Sequence, residues 1–299
     1  MKEITTLDVD NKIDIRNMIS NHGFFYLPIK NIEMVNKMMN TTKEYFNLPL
    51  KKKLLQPHNK DGLGYIPHNR VRRGVTITKE SYTYIPNKIS SPFENIFSDY
   101  YKNMNMIARE IFCDVMNTLN ISHDKYNEII NLGSGTLSIL HYPESKSNGN
   151  TLSLSNKNSC NTLSHSDKDS GNTLSLSDKD SCNTVGISPH TDWGLLTILY
   201  TDMDGLQVNI NGKWVNIPCK KDHFIINIAD MIEILTNGKY KSTIHRVINK
   251  NEKYSLAFFY EPHKDCIIKP LDNNFSQYNP VKYSMYHGNK INVSTNNLI

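Results

Sequence analysis

The motif His190-Thr191-Asp192 carries two side chains, two residues apart, that could hold a metal ion. In an extended strand, residues i and i+2 point to the same face, so His190 and Asp192 could bind one ion together. A further histidine, His245, follows later in the chain. Two imidazoles and one carboxylate form the facial triad that binds Fe(II) and leaves positions open for oxygen chemistry. The three residues therefore predict an iron site, provided that the fold brings them together.

The His-x-Asp pattern alone does not locate that site, because it also occurs at His165 and at His263. His165 lies in a repeat dominated by Ser, Asn, Asp and Lys, which provides no core around it, and His263 has only His287 as a later histidine. Residues 185–200, in contrast, surround the central motif with β-branched and aromatic residues that are typical of paired strands. A metal site needs such a rigid scaffold, and this favours the central motif.

Composition limits the classes of function. The chain has 299 residues, of which 38% are hydrophobic, enough for a substantial core in one or two domains. The net charge of +5 is spread thinly, with dense basic clusters only at Lys51–Lys53 and Arg70–Arg73, which we interpret as solvated surface. The sequence contains no zinc finger and no basic stripe with interleaved aromatic residues. We therefore expect no nucleic-acid partner.

Cysteine usage and hydropathy indicate the compartment. The five cysteines are widely scattered and form no Cys-x-x-Cys pair, which argues against a disulfide framework and favours a reducing compartment. Residues 1–12 lack the apolar core of a signal peptide, and no apolar run reaches the ~18 residues of a membrane span. We expect a cytoplasmic protein without a membrane partner, and a monomer.

The spacing of apolar residues predicts an α+β fold. Helical spacing occurs in three segments, 11–20, 32–46 and 93–119. Strand patterns occur at 23–28 and then dominate from 135–142 to 254–260. Helices followed by strands favour a helical N-terminal region that packs on a jelly-roll core.

A repetitive segment interrupts the strand-rich part. Residues 150–182 form three tandem units of eleven residues, NTLSLSNKNSC, NTLSHSDKDSG and NTLSLSDKDSC. Such short polar units cannot build a solenoid core, and their composition favours a loop between Tyr142 and Val185, which we expect to be neighbours in space. The predicted organisation is a helical N-terminal region at 1–130, a jelly-roll domain at 131–290 interrupted by the repeat, and a polar tail at 291–299.

Several blocks of sequence, in order, resemble one family. They are residues 21–26, 45–51, 210–218, 224–231, 236–247 and 254–259. Together they resemble the iron- and 2-oxoglutarate-dependent dioxygenases of the isopenicillin N synthase type, also called the iron/ascorbate-dependent oxidoreductase family. The resemblance covers almost the whole chain outside the repeat, and ordered blocks are far more specific than a single His-x-Asp motif.

The resemblance implies a double-stranded β-helix, a jelly roll of cupin-like form, with His190, Asp192 and His245 as ligands of Fe(II). It also implies an O2-dependent oxidation of a small organic molecule, most directly a hydroxylation, in which 2-oxoglutarate is converted to succinate and CO2. Ascorbate is a candidate reductant. Asp230 lies in a block that is structural in the family, so we expect it to fix a turn rather than to bind metal.

The cosubstrate site departs from the family pattern. The family binds 2-oxoglutarate with an Arg-x-Ser motif, whereas the matching residues here are Lys253 and Ser255. Lysine keeps the charge but loses the two-point fork of arginine. One charged hydrogen bond contributes about 1.5–3 kcal/mol, so its loss would weaken binding roughly tenfold or more. Tyr142 matches a family tyrosine that contacts cosubstrate or substrate.

Two interpretations of Lys253 therefore stay open: it anchors 2-oxoglutarate as a point charge, or cosubstrate binding is weak or lost. In the second case the chain would be an Fe(II) oxidase of the same fold that does not use 2-oxoglutarate, with Lys253 and Ser255 holding another anion. A third hypothesis is a non-catalytic jelly-roll protein that binds a partner through its repeat.

Overall fold

The computed structural model describes residues 22–68, 70–72, 75–131, 133–144, 185–249, 251–271 and 276–295. The described strands are β1 (Phe24–Pro28), β2 (Gly64–Ile66), β3 (Arg70–Arg72), β4 (Val75–Ile77), β5 (Glu80–Tyr84), β6 (Ser134–Tyr142), β7 (Val185–His190), β8 (Leu196–Thr201), β9 (Leu206–Ile210), β10 (Lys213–Ile217), β11 (His223–Ile228), β12 (His245–Ile248), β13 (Lys253–Glu261), β14 (Ile267–Ile268) and β15 (Val281–Lys282). The α-helices are α1 (Ile32–Asn47), α2 (Leu50–Lys53), α3 (Glu94–Thr118), α4 (Asn127–Asn131), α5 (Asp230–Leu235) and α6 (Tyr283–Thr295).

Two antiparallel sheets form the core of the fold. Within the described ranges, the larger sheet has seven strands in the order β1-β11-β8-β13-β6-β5-β2, and the smaller has four in the order β10-β9-β12-β7. Residues of both sheets line one cavity between them. This arrangement, with helices outside the larger sheet, confirms the predicted α+β class and the double-stranded β-helix.

The N-terminal part of the chain also supplies strands to the larger sheet. Strand β1 pairs with β11, and β5 pairs with β6, so both flanks of the sheet come from residues before the jelly-roll segment. The predicted strand at 23–28 is confirmed, as are the helices at 32–46 and 93–119. The predicted helix at 11–20 and the repeat at 150–182 lie outside the described residues.

Amphipathic helices cover the outer face of the larger sheet. Helix α1 begins after Asn31, whose side chain accepts a hydrogen bond from the backbone N–H of Met34 at 3.1 Å. Its buried residues recur every three or four positions and face the core: Val35, Met38, Met39, Thr41, Thr42, Tyr45 and Phe46. Helix α3 buries a longer stripe of the same kind. No helix of the described ranges is long and apolar enough to cross a membrane.

Strand β13 shows how one sheet serves both the core and the cavity. Its residues Leu256 and Phe258 belong to the hydrophobic core under the helices. Ser255 and Ala257, on the opposite face, line the cavity. Because successive side chains of a strand point to opposite faces, a single strand can complete the core and carry polar groups into a site.

A buried charged cluster joins the N-terminal helices to this sheet. The carboxylate of Glu80 on β5 accepts hydrogen bonds from Lys53 Nζ at 2.8 Å, from the hydroxyl of Tyr65, and from His141 Nδ1 at 2.8 Å. Burial alone would raise the pKa of Glu80, but these hydrogen bonds outweigh it and lower the pKa to about 2. The interpretation of Lys53 as solvated surface is wrong, because its side chain is buried against Glu80.

We expect Glu80→Gln to lower the free energy of unfolding at pH 7 by about 3–5 kcal/mol, because it leaves the Lys53 ammonium buried without its counter-charge. The stabilisation from Glu80 should be complete above its ordinary pKa of 4.5 and should be lost as pH falls towards about 2. Urea unfolding followed by circular dichroism measures both effects. Lys53→Met in the Glu80→Gln background should recover part of the loss; equal urea midpoints for Glu80→Gln and the unchanged chain would contradict the assignment.

Candidate metal centre

The structure brings the three predicted ligands together at the ends of two paired strands. His190 ends β7 and lies opposite His245, the first residue of β12. Asp192 follows two residues after His190 in the loop before β8. One donor atom from each of the three residues lies within 4.8 Å of the others, and each histidine Nε2 is 3.7 Å from Asp192 Oδ1. Within the part of the chain that the structure describes, no other group of three such residues converges in this way.

Backbone carbonyls orient the two imidazoles. His190 Nδ1 lies 2.8 Å from the carbonyl oxygen of Ser188, and His245 Nδ1 lies 3.1 Å from that of Thr243. A carbonyl oxygen only accepts, so each Nδ1 must carry the proton and donate it. Each Nε2 is then left with its lone pair directed at the common centre. Metal-binding histidines are typically held in this way.

The carboxylate of Asp192 is held from its other side. Its Oδ2 atom accepts hydrogen bonds from Thr197 Oγ1 at 2.6 Å and from Asn227 Nδ2 at 2.8 Å. Its backbone carbonyl accepts from the N–H of Asp230 at 2.9 Å. These contacts fix the side chain and leave Oδ1 directed towards the histidines. A carboxylate oriented in this way fits a monodentate metal ligand.

The charges of His190, Asp192 and His245, together called the metal cluster, suit a divalent cation. Burial, with the neighbouring His245, lowers the pKa of His190 to about 4, so its imidazole is neutral near pH 7. Burial opposes ionisation of Asp192, but His245 and His190, with the two hydrogen bonds, lower the pKa of this carboxyl below its ordinary value. Neutral imidazoles and an ionised carboxylate are the protonation states that metal binding requires. The residues present therefore fit an Fe(II) ion by both geometry and charge.

The competing motifs do not form comparable sites. His263 Nδ1 is 3.8 Å from Asp265 on the exposed surface, and His287 instead contacts the ring of Trp193. The motif at His165 lies outside the described residues. Asp230 also lies outside the cluster, because its Oδ2 accepts hydrogen bonds from Thr191 Oγ1 at 3.2 Å and from the Tyr286 hydroxyl at 2.6 Å.

The metal cluster opens into a cavity of about 570 Å³. The same cavity is lined by the three residues predicted to bind the cosubstrate: Tyr142, Lys253 and Ser255. Lys253 and Tyr142 are opposite each other in the β13–β6 ladder, and the ammonium of Lys253 lies 4.6 Å from the centroid of the tyrosine ring. The hydroxyl of Ser255 donates to Thr201 Oγ1 at 3.1 Å. The structure thus places an ammonium and a hydroxyl in one cavity with the metal cluster.

Lys253 is an unusual lysine. It is only 4% exposed, and its ammonium has no hydrogen-bond partner among the residues that the structure describes. Burial lowers its pKa to about 8, although Asp202 and Asp204 partly offset this effect. A buried cation without a hydrogen-bonded counter-charge is costly, and an anion in the cavity would relieve that cost.

Two glycines make room for this arrangement. A Cβ atom on Gly205, whose φ is +138°, would lie 2.7 Å from Lys253 Nζ and 2.4 Å from the carbonyl oxygen of Ile248. A Cβ atom on Gly186 would lie 2.9 Å from the ring of Tyr142. The second contact also confirms that Tyr142 and the start of strand β7, which lie on either side of residues 150–182 in the sequence, are neighbours in space. Only glycine permits these close approaches without a shift of the backbone.

Sequence reasoning missed the residues that hold the ligands. Thr197 lies on β8 and Asn227 lies on β11. Both strands are mostly apolar in sequence, so their pattern predicts only a buried strand. Asn227 carried a usable signal, because a buried amide in the apolar run FIINI requires a hydrogen-bond partner. Lys79, which also lines the cavity, had no such signal in the sequence.

Two family profiles match the sequence in successive stretches. The profile of the 2OG-Fe(II) oxygenase superfamily matches residues 136–262. A second profile, which describes the N-terminal region of the non-haem dioxygenase in morphine synthesis, matches residues 12–104. The first stretch contains the three residues of the metal cluster and the three predicted cosubstrate residues, so the family match and the site coincide.

Individual relatives agree with the profiles. Homoarginine-6-hydroxylase 2-ODD-C23 of Glycine max is 47% identical over 95 residues, which are 30% of this chain and 29% of that protein. The 2-oxoglutarate-Fe(II) type oxidoreductase hxnY of Emericella nidulans is 26% identical over 294 residues, covering 91% of this chain and 73% of that protein. A full-length Neurospora crassa protein, solved in complex with alpha-KG and thymine, superimposes with a TM-score of 0.77 at 18% identity over 97% of both chains. This last similarity shows that the fold is shared.

We expect Thr197→Val to weaken binding of a divalent metal by about 10- to 100-fold, because it removes a hydrogen bond that orients Asp192. Calorimetric titration with Co(II), which is stable in air, measures the change. Thr201→Val is the matched control, since Thr201 lies on the same strand and lines the same cavity but bonds to Ser255 rather than to Asp192. Equal affinity in Thr197→Val and the unchanged chain would show that this hydrogen bond does not support a metal ligand.

Proposed function

Because the chain belongs to the 2-oxoglutarate- and Fe(II)-dependent oxygenase superfamily, we propose that it uses O2 and 2-oxoglutarate to oxidise a small organic molecule. One observation carries this proposal: three donor atoms within 4.8 Å of one another share a cavity with a buried lysine. A metal cluster next to an anion-binding group is the pair of features that the reaction needs. Hydroxylation of a C–H bond is the most direct outcome.

His190, Asp192 and His245 would hold the iron through two Nε2 atoms and one carboxylate oxygen. Fe(II), when bound, supplies the oxidising chemistry, with O2 as oxidant and with succinate and CO2 as the products of 2-oxoglutarate. The protein's own part is to hold these ligands in position and to shelter the centre. Apolar cavity walls such as Leu199 and Val247 limit the access of water.

Lys253 would anchor the far carboxylate of 2-oxoglutarate as a point charge, assisted by the hydroxyl of Ser255. The ring of Tyr142 supports the ammonium from one side, and Gly205 allows it to approach the backbone closely. Burial strengthens this electrostatic attraction because the local dielectric is lower than that of water. Enclosure would thus compensate in part for the second hydrogen bond that an arginine fork provides.

We also propose that the protein acts as a cytoplasmic monomer on a small-molecule substrate, without a nucleic-acid or membrane partner. Support for the compartment comes from the free thiols of Cys113, Cys219 and Cys266, which persist where the environment is reducing. We place the boundary between the N-terminal region and the jelly-roll domain near residue 130, just before β6 begins.

The Fe(II)-loaded protein, titrated with 2-oxoglutarate under argon, should develop the visible metal-to-ligand charge-transfer band of a bound 2-oxo acid. On admission of air and a substrate it should release succinate, whereas Asp192→Ala should bind no Fe(II) and release none. An iron-loaded protein that shows no band at millimolar 2-oxoglutarate would instead be an oxidase that does not use this cosubstrate. Failure of the unchanged chain to bind Fe(II) would favour the non-catalytic binding protein, and full turnover by Asp192→Ala would refute the metal assignment.

We expect the affinity for 2-oxoglutarate to fall as pH rises above about 8, because Lys253 is charged below its pKa of about 8 and neutral above it. Lys253→Arg should remove this pH dependence, since arginine stays protonated. Lys253→Met should weaken binding at pH 7 by about tenfold or more. The charge-transfer band, titrated at several pH values, measures all three. An unchanged Kd from pH 7 to pH 9 in the lysine protein would exclude Lys253 as the anchor.

A further inference from the structure

Three hydroxyl groups form a polar area in the wall of the cavity, where strands β5 and β6 of the larger sheet pair. Thr83 and Ser138 are opposite residues of these strands, and their hydroxyl oxygens are 3.1 Å apart. Ser81 precedes Thr83 by two residues and therefore faces the same way. All three residues line the cavity. Ser81, Thr83 and Ser138, together called the hydroxyl patch, have no part in the metal cluster or in the predicted cosubstrate site.

The pair of Thr83 and Ser138 keeps one proton that its own hydrogen bond does not use. Each hydroxyl carries one proton and two lone pairs, and either residue can donate to the other. The proton of the acceptor is then left over. Neither hydroxyl forms a second hydrogen bond within the described ranges. The pair therefore offers one O–H donor to a molecule in the cavity.

The hydroxyl of Ser81 is buried between apolar neighbours. Its cross-strand partners are Ile66 on β2 and Leu140 on β6, whose side chains cannot form hydrogen bonds. Ser81 is only 7% exposed, and its hydroxyl bonds to no residue that the structure describes. Burial of a hydroxyl without a partner costs free energy, which a polar group of a ligand in the cavity would recover. Ser81 is thus a second, independent indication that a ligand binds at the hydroxyl patch.

The hydroxyl patch lies beside the path of the cosubstrate rather than on it. The proposed anchor Lys253 begins β13, and Thr197, which holds the metal ligand Asp192, lies on β8 opposite Phe259 of β13. A molecule that joins Lys253 to the metal cluster would therefore lie along β13 and β8. The hydroxyl patch belongs to β6 and β5, the next two strands in the order of the sheet. This part of the wall is left for the substrate.

The separation between the hydroxyl patch and the metal cluster sets the length of the ligand. Ser138 pairs with Ala257, and Ala257 pairs with Leu199, which lies two residues after Thr197. With strands about 4.8 Å apart and a rise of about 3.4 Å per residue, Ser138 and Thr197 are separated by roughly 12 Å across the sheet. A molecule of two linked six-membered rings has about this length. Such a molecule could bind at the patch and present its far end to the metal cluster.

The surroundings of the hydroxyl patch define the polar group that it recognises. Its three groups are neutral, so an ion bound there would lose hydration without gaining a counter-charge from the patch. A carbonyl oxygen has two lone pairs and accepts hydrogen bonds from hydroxyl protons. Apolar side chains that line the cavity border the patch: Ile66, Leu140 and Ala257. The patch therefore fits an uncharged carbonyl group on an apolar body.

We propose that the hydroxyl patch binds a carbonyl group of the substrate, and that the substrates are uncharged, mostly apolar molecules. The inference rests on the proposed function, because it takes 2-oxoglutarate to lie along β13. It assigns Ser81, Thr83 and Ser138 as the residues that determine preference for carbonyl compounds. The apolar walls bind the remainder of the molecule, and the hydrogen bonds to its carbonyl oxygen orient the oxidised carbon towards the metal cluster.

The test uses the full chain loaded with Fe(II) and saturated with 2-oxoglutarate under argon. Ketones and hydrocarbons of matched shape are titrated by calorimetry: 4-phenylcyclohexanone with phenylcyclohexane, and 1-tetralone with tetralin. Loss of the hydroxyls, in the double variant Thr83→Val with Ser138→Ala and in Ser81→Ala, should weaken binding of at least one ketone by about fivefold or more. The affinity for its hydrocarbon should change by less than about twofold, because no hydrogen bond to it is lost.

The matched control is Thr83→Ser, which keeps the hydroxyl but loses a methyl group and should bind the ketone as the unchanged chain does. Equal ketone affinity with and without the hydroxyls would overturn the proposal, as would failure of both ketones to bind at their solubility limits. The anion 4-phenylcyclohexanecarboxylate is included because Lys79 lines the same cavity. Tighter binding of this anion than of the ketone would overturn the assignment to uncharged substrates.

The charge-transfer band, recorded in every titration, separates this inference from the proposed function. The hydroxyl variants should bind 2-oxoglutarate as the unchanged chain does, and loss of the band in them would place the patch in the cosubstrate site and overturn the inference. Absence of the band in the unchanged chain would refute the proposed function, and with it the role of the patch in substrate binding. A normal band with a ketone affinity that does not depend on the hydroxyls would mean that only the inference about the patch fails.

Discussion

The opposite orientation of successive side chains in the seven-stranded sheet is the constraint on which the site depends. Each central strand must place one set of residues under the helices and the other set in the cavity. In β13, Leu256 and Phe258 complete the hydrophobic core while Lys253 and Ser255 reach the cavity. A shift of one residue in register would bury the lysine among the helices and move the apolar residues into the site. The core therefore fixes the register, and the register fixes the chemistry.

The pairing of strands also positions the three residues of the metal cluster. His190 and His245 are opposite residues of two paired strands in the smaller sheet. Asp192 instead accepts hydrogen bonds from Thr197 and Asn227, which belong to the larger sheet. Two of the candidate ligands thus lie on the smaller sheet, and the larger sheet supplies the hydrogen bonds that hold the third. A site built on strands is held more closely than one built on loops.

The sequence could predict the types of the ligands and the strands that carry them, but not their supports. His190 and Asp192 are two residues apart, and this local spacing is visible in the sequence. The pairing of His190 with His245 is a long-range contact, which only the resemblance to a family implied. The burial of Lys53 could not be predicted, because its partner Glu80 lies 27 residues further along the chain, on strand β5. The alternation of Ser81 and Thr83 with Tyr82 and Tyr84 in that strand is visible in the sequence, but no local pattern indicates that Glu80 is buried against a lysine from another element.

The lysine at position 253 shows how the fold can accommodate a departure from the family pattern. An arginine obtains its affinity from a planar fork with two parallel hydrogen bonds, whereas a lysine offers a compact point charge. Here the ammonium already lies against Gly205 and over the ring of Tyr142, so the head group is enclosed on two sides. In such an enclosed position a compact point charge loses little to solvent screening, and its attraction for a carboxylate grows as the local dielectric falls. The burial that lowers the pKa of this lysine would therefore also strengthen its attraction for an anion in the cavity.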